Sequence, residues 1–120
     1  MKYVNLTQHE INIYAAKVDA TGKDTKESSP SLSVPPSGKV ASVSIRRQYA
    51  FTGSHPAEVT FYRQVVGEVV GLPEPADDTI FIVSAQVRLA VPHRHDVASP
   101  GELKRNEAGQ PVGCVGLYVN

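Results

Sequence analysis

The chain has 120 residues, 41% hydrophobic and 20% charged, a size and balance that exclude a multidomain protein and a disordered one. Twelve Lys and Arg cancel twelve Asp and Glu, so the basic excess expected of a general duplex nucleic-acid binder is missing. A single cysteine, Cys114, excludes an intrachain disulfide, and no apolar run approaches the ~18 residues of a membrane helix.

Taken in chain order, most segments alternate with period two, the signature of half-buried strands. Met1–Leu6 reads as a first strand. Ile11–Ala15 reads as a second, with Ile11, Ile13 and Ala15 on one face and Asn12 and Tyr14 on the other. The opening MKYVNLTQHEINIY has no apolar core of signal-peptide length, which favours a cytoplasmic protein. Residues 16–30, polar and charged, read as an exposed flexible loop. Leu32-Ser33-Val34 starts a short strand that Pro35-Pro36-Ser37-Gly38 stops, because two prolines remove ladder donors.

Val40–Ile45 alternates again, and a connection through Gly53 and Pro56 leads to a strand over Glu58–Tyr62. Val65–Val70 reads as a further strand with Gly67 at a bulge. Thr79–Val83, the most apolar run, reads as a central strand. A short helix is expected over residues 84–91, capped by Ser84 and stopped by Pro92. A polar loop over 92–101 and a hairpin, Glu102–Arg105 to Pro111–Tyr118, finish the chain. The predicted fold is a single mostly-β domain over 1–120, an antiparallel sandwich or barrel-like sheet with one short helix. The aromatic residues Tyr14, Tyr49, Phe51, Phe61, Tyr62, Phe81 and Tyr118 are expected mainly in the core, with one of the neighbours Phe61 and Tyr62 exposed.

Chemistry concentrates in His93-Arg94-His95-Asp96, framed by Pro92 and Pro100. Arg94 can grip a phosphate with paired N–H donors, His93 or His95 can add another, and Asp96 can accept from a ribose hydroxyl. Equally, Asp96 can pair with Arg94 in a loop that satisfies itself. Asn5, Thr7 and His9 share one side of an extended segment and can either line a pocket or hydrogen-bond the turn into the second strand. His93-x-His95 could contribute to a zinc site only if the fold gathered His9, Asp96 or Cys114 beside it, so no metal or other cofactor is expected. Cys114 lies between glycines but alternates with Val112, Val115 and Leu117 as a buried strand residue would. No GxSxG, HExxH or Walker motif is present, and no enzyme activity is expected. Charge is polarised: Arg46, Arg47 and Arg63 face only Glu58 between Ser44 and Gln64, while 67–78 holds four acids and no base.

The ordered blocks Val4–Ile11, Pro36–Ala41, Gly67–Pro73, Ile80–Ser84, Arg94–Asp96 and Arg105–Cys114 resemble a family of small uncharacterised phage and prophage proteins. Gln8 departs from that pattern, in which proline is common. The resemblance implies a phage setting, and small phage proteins of this kind include oligomeric sponges that hold the cyclic-nucleotide or ADP-ribose signals of CBASS and Thoeris immunity. The expectation is a homo-oligomeric anti-defence protein of the host cytoplasm that binds a small anionic nucleotide through Arg94, His93, His95 and Asp96, with Asn5, Thr7 and His9 nearby. It would bind neither membrane nor general nucleic acid. Two other expectations stand beside it: a protein–protein inhibitor of a host defence complex such as a CRISPR effector, and a minor virion or assembly protein.

Overall fold

The computed structural model describes residues 1–15 and 30–120, so the segment read as a flexible loop lies, apart from Pro30, outside the described residues. Among the described residues the elements run β1 (Lys2–Asn5), β2 (Ile11–Tyr14), β3 (Leu32–Val34), β4 (Ser42–Gly53), β5 (Val59–Val70), β6 (Thr79–Ile82), α1 (Ala85–Ala90), β7 (Val97–Arg105) and β8 (Pro111–Val119). Six strands form one sheet in the order β1-β6-β7-β8-β2-β3, and β4 and β5 form a separate two-stranded ribbon. A bridge between Asn5 and Pro36 draws the two edges of the sheet together, giving a nearly closed, barrel-like body. Of the expected alternatives, the barrel-like sheet is the one realised.

Pairing in the body is mixed. β7–β8 and β2–β3 are antiparallel, whereas β1–β6, β6–β7 and β2–β8 are parallel. Parallel neighbours need a crossover, and α1 provides it between β6 and β7. The helix falls within the predicted span. Ser84 Oγ accepts from the Val87 N–H at 3.3 Å at its start. Its far end is capped by Asn120, whose Nδ2 donates to the carbonyls of Arg88 (3.0 Å) and Val91 (2.9 Å), adding to the backbone bonds these carbonyls accept from the N–H groups of Val91 and Arg94. Val87 and Val91 turn inward onto Leu6, Phe81, Val83 and Val97, the centre of the core.

Three expectations are corrected. First, the segment 92–101 is not loop throughout: Val97–Gly101 opens β7, and Val97, Ala98 and Ser99 are fully buried. The Val83 N–H donates to the Ala98 carbonyl at 2.8 Å, and β6 ends opposite Ala98. Pro100 therefore sits past the stretch where its missing donor would break a ladder. Second, β4 continues from Ile45 to Gly53, and the two strands read over 58–62 and 65–70 are one, β5. Arg46-Arg47-Gln48 interrupts the polar–apolar alternation, yet a ribbon with solvent on both faces needs no apolar face to persist. Third, Tyr49, Phe51, Phe61, Tyr62 and Tyr118 are exposed, and only Tyr14 and Phe81 among the aromatics are buried. Both Phe61 and Tyr62 face solvent because the ribbon leaves the body beyond Val43 and Val69, which still pack on the core. The radius of gyration, 18.4 Å, reflects this; a compact chain of this length would have about 14 Å.

Candidate functional site

The Asn5–Thr7–His9 segment lies where β1 ends and the chain turns into β2. Asn5 is 1% exposed, and its amide is fully committed. Nδ2 donates to the carbonyls of His9 (2.8 Å) and Val34 (2.9 Å), while Oδ1 accepts from the Thr7 N–H (2.9 Å) and the Thr7 hydroxyl (2.6 Å). An amide has two donor hydrogens and two acceptor lone pairs, and all four are matched. Asn5 therefore fastens β1, the β2 entry and β3 together, the turn-bonding role that the sequence offered beside a pocket. Thr7 belongs to the same fastening, since its hydroxyl also lies 3.0 Å from the His9 carbonyl. The His9 side chain is exposed and reaches a different feature, described below.

The His93–Asp96 turn follows α1. Arg94 Nε and Nη2 donate to the two oxygens of Asp96 at 2.8 and 2.9 Å, and Nη2 also donates to the Pro73 carbonyl at 3.0 Å. The pair is largely shielded, with side chains 15% and 20% exposed. This fork ties the turn to the segment before β6. The hydrogen bonds from Arg94 hold the Asp96 carboxyl below the usual carboxylate range, and the same bonds push the Arg94 guanidinium up. His95 Nδ1 lies 3.4 Å from the Asn120 carbonyl, and His93 is exposed. The turn thus presents its two imidazoles to solvent, with the guanidinium edge turned onto Asp96.

A group whose native pKa is depressed adds stability above its unfolded pKa and loses it as pH falls through the native value. Asp96→Asn is therefore expected to lower the urea midpoint by a constant amount from pH 8 to about 5, the gap closing below about pH 4 as the wild-type carboxyl protonates. A gap that persists undiminished at pH 3 would remove the fork from the stability of the turn.

A concavity with polar groups at its edge lies elsewhere, over the seam where β2, β8 and β7 meet. It measures about 560 Å³ and is open on one side. Leu103, Pro100, Pro111 and Val112 make apolar walls, Gly101, Gly113 and Cys114 make the floor, and His9, Glu10 and Asn12 stand at the rim. Asn12 is held by Ser33, whose hydroxyl donates to its Oδ1 at 2.7 Å. Glycines make the floor because the strands approach closely there: a Cβ on Gly101 would press on the carbonyls of Val115 and Gly116, and one on Gly113 on that of Asn12. Among the described residues, no lysine or arginine lines the cleft. Of the ligand-binding candidates named in the sequence, His9 alone reaches it, joined by Cys114, which was weighed there on other grounds; Glu10 and Asn12 were missed as site residues, as was the role of the prolines as walls. Their signal was faint, a Pro100-Gly101 and a Pro111-x-Gly113 on the two strands of one hairpin but at different registers, Pro100 opposite Leu117 and Pro111 opposite Arg105.

Burial pushes the Cys114 thiol up, so the nucleophilic thiolate is scarce at neutral pH. Among the described residues, no three His, Cys, Asp or Glu side chains gather as a metal site would require, and no helix is long and apolar enough to cross a membrane. The fold and site together define a small barrel-like β protein with an apolar-walled surface cleft and a projecting ribbon. Compared with models of known protein families, with curated proteins and with solved structures, the chain matches none.

Proposed function

We propose that the protein acts by binding rather than by turnover, holding a small nucleotide-derived ligand intact in the cleft between β2, β7 and β8. The observation that carries this reading is the cleft itself. At about 560 Å³ it has the volume of a cofactor-sized ligand site, with flat apolar walls and a few polar groups on one edge. Pro100 and Pro111 suit the face of a base, while the Glu10 carboxylate and Asn12 amide suit ribose hydroxyls. With no cation in the lining among the described residues, the phosphates of such a ligand would project from the open side. The resemblance to small phage proteins supplies the biological setting: withdrawal of a cyclic-nucleotide or ADP-ribose immune signal, so that the host effector stays silent. A second reading, contact inhibition of a host protein, draws on a different observation, the exposed aromatic ribbon of β4 and β5.

Calorimetric titration with a panel of cyclic dinucleotides and cyclic ADP-ribose isomers tests the first reading. One member should bind, and Leu103→Trp, which fills the cleft from an exposed position, should weaken it by about a hundredfold or more, the scale of losing the buried contact area of one base. Binding undiminished by Leu103→Trp would place the ligand elsewhere. Hydrolysed nucleotide in the cell would make the protein an enzyme.

A further inference from the structure

Strands β4 and β5, twelve residues each, make a ribbon about 40 Å long. Among the described residues only its base is held, through Val43 and Val69 on the core and through α1. A two-stranded ribbon standing alone in water is marginal. This one nevertheless carries apolar side chains on both faces. Tyr49 and Tyr62 sit opposite each other, 61% and 47% exposed, with the Arg47 guanidinium 4.5 Å above the Tyr62 ring. On the other face Phe51 and Phe61, 55% and 45% exposed, stack with centroids 4.6 Å apart. Register slips between Val43 and Ile45, and between Tyr49 and Phe51, add twist along the ribbon.

We infer that this ribbon is a self-association arm that lies across a second copy of the same chain, placing Arg46, Arg47 and Arg63 against that copy's Glu74 and Asp77. The charge pattern selects the occupant. The three arginines occupy the middle of the arm, so stacking two arms middle to middle would set like charges together. Sliding each arm onto the acidic segment that follows β5 in the other copy pairs opposite charges instead, and a two-fold axis makes the contact twice. Glu58 and Glu68 nearly balance the arginines within the arm, which disfavours nucleic acid as the occupant. The half-exposed rings and valines of the arm, taken over both faces, amount to roughly 800 Å² per chain, so an arm gripped on both sides would bury one partner's share of a standard protein interface. This inference is independent of the ligand proposed for the cleft.

Sedimentation equilibrium on the full chain tests it. The expected mass is twice the 12.9 kDa of one chain. Arg47→Glu with Arg63→Glu should weaken the dimer by about tenfold or more, and mixing that variant with Glu74→Arg/Asp77→Arg should restore a heterodimer. Circular dichroism establishes that each variant remains folded. Tyr49→Lys reads the same contact through one exposed ring and should also weaken the dimer. A wild-type chain that stays monomeric at micromolar concentration overturns the inference. So does a dimer that all these variants leave unchanged, or a monomer whose arm captures a host protein or an oligonucleotide.

Discussion

Asn5→Ala is expected to destabilise the fold by about 3 kcal/mol, read as a lowered urea midpoint with unchanged slope. The substitution removes four hydrogen bonds at a site 1% exposed. A typical bond contributes about 1 kcal/mol net, but stranding a buried partner costs about 1–3 kcal/mol, and here the Val34 carbonyl and the Thr7 N–H lose theirs. Position adds to number. The Asn5 carbonyl also accepts from the Ser37 N–H at 3.0 Å, so the residue joins the edges that close the barrel. Asn5→Asp should do comparable harm despite its shape, because an oxygen would face the carbonyls of His9 and Val34 in place of a donor. A loss under about 1 kcal/mol for the alanine variant would mean that the barrel closes without this knot.

Gly101→Ala is expected to cost about 2–3 kcal/mol although it adds a single methyl group, as overpacking against a rigid backbone does. Gly101 lies in β7 between Pro100, which pairs with Leu117, and Glu102, which pairs with Val115. An added Cβ would meet the carbonyl of Val115 and, at 2.7 Å, that of Gly116. These are backbone atoms of the neighbouring strand, so no side chain can turn away to relieve the contact. The strands must separate, and the floor of the cleft must shift with them. Thermal unfolding checks the stability change, and ligand titration checks the cleft. A variant with wild-type Tm and wild-type affinity would show that the β7–β8 seam yields easily.

The legible parts of this sequence are those in which local pattern and burial agree. Ser84, Val87, Val91 and Pro92 mark a capped two-turn helix, and the helix is there. The run at Thr79–Val83 lies inside the sheet, with β1 and β7 on either side. What failed to show was whatever depends on partners distant in sequence. Val97-Ala98-Ser99 between a histidine turn and a proline reads locally as loop, yet the parallel pairing with β6 makes it the most buried part of β7. Tyr49, Phe51, Phe61 and Tyr62 read as core because aromatic residues usually are; only the geometry places them on a ribbon clear of the body. Asn120 as the helix cap and the cleft between Pro100 and Pro111 likewise arise from tertiary approach.

The candidate chemistry divides in the same way. Arg94 and Asp96 are neighbours in sequence, and both the ligand grip and the mutual pair were readable from that spacing. The distances show the pair, closed at 2.8 and 2.9 Å. The proposed binding cleft draws on residues some 100 positions apart, His9 to Asn12 with Pro111 to Cys114. Period-two alternation locates each strand but does not say which strands lie side by side, and the cleft exists only where β2 and β8 meet.

Native mass spectrometry on protein purified from bacteria with an active nucleotide-based immune system tests the binding account most directly. The wild-type spectrum should carry a stoichiometric small adduct per cleft, which heat releases as intact nucleotide, and the Leu103→Trp protein from the same cells should carry none. An adduct-free wild-type spectrum, or release of cleaved nucleotide only, would contradict it.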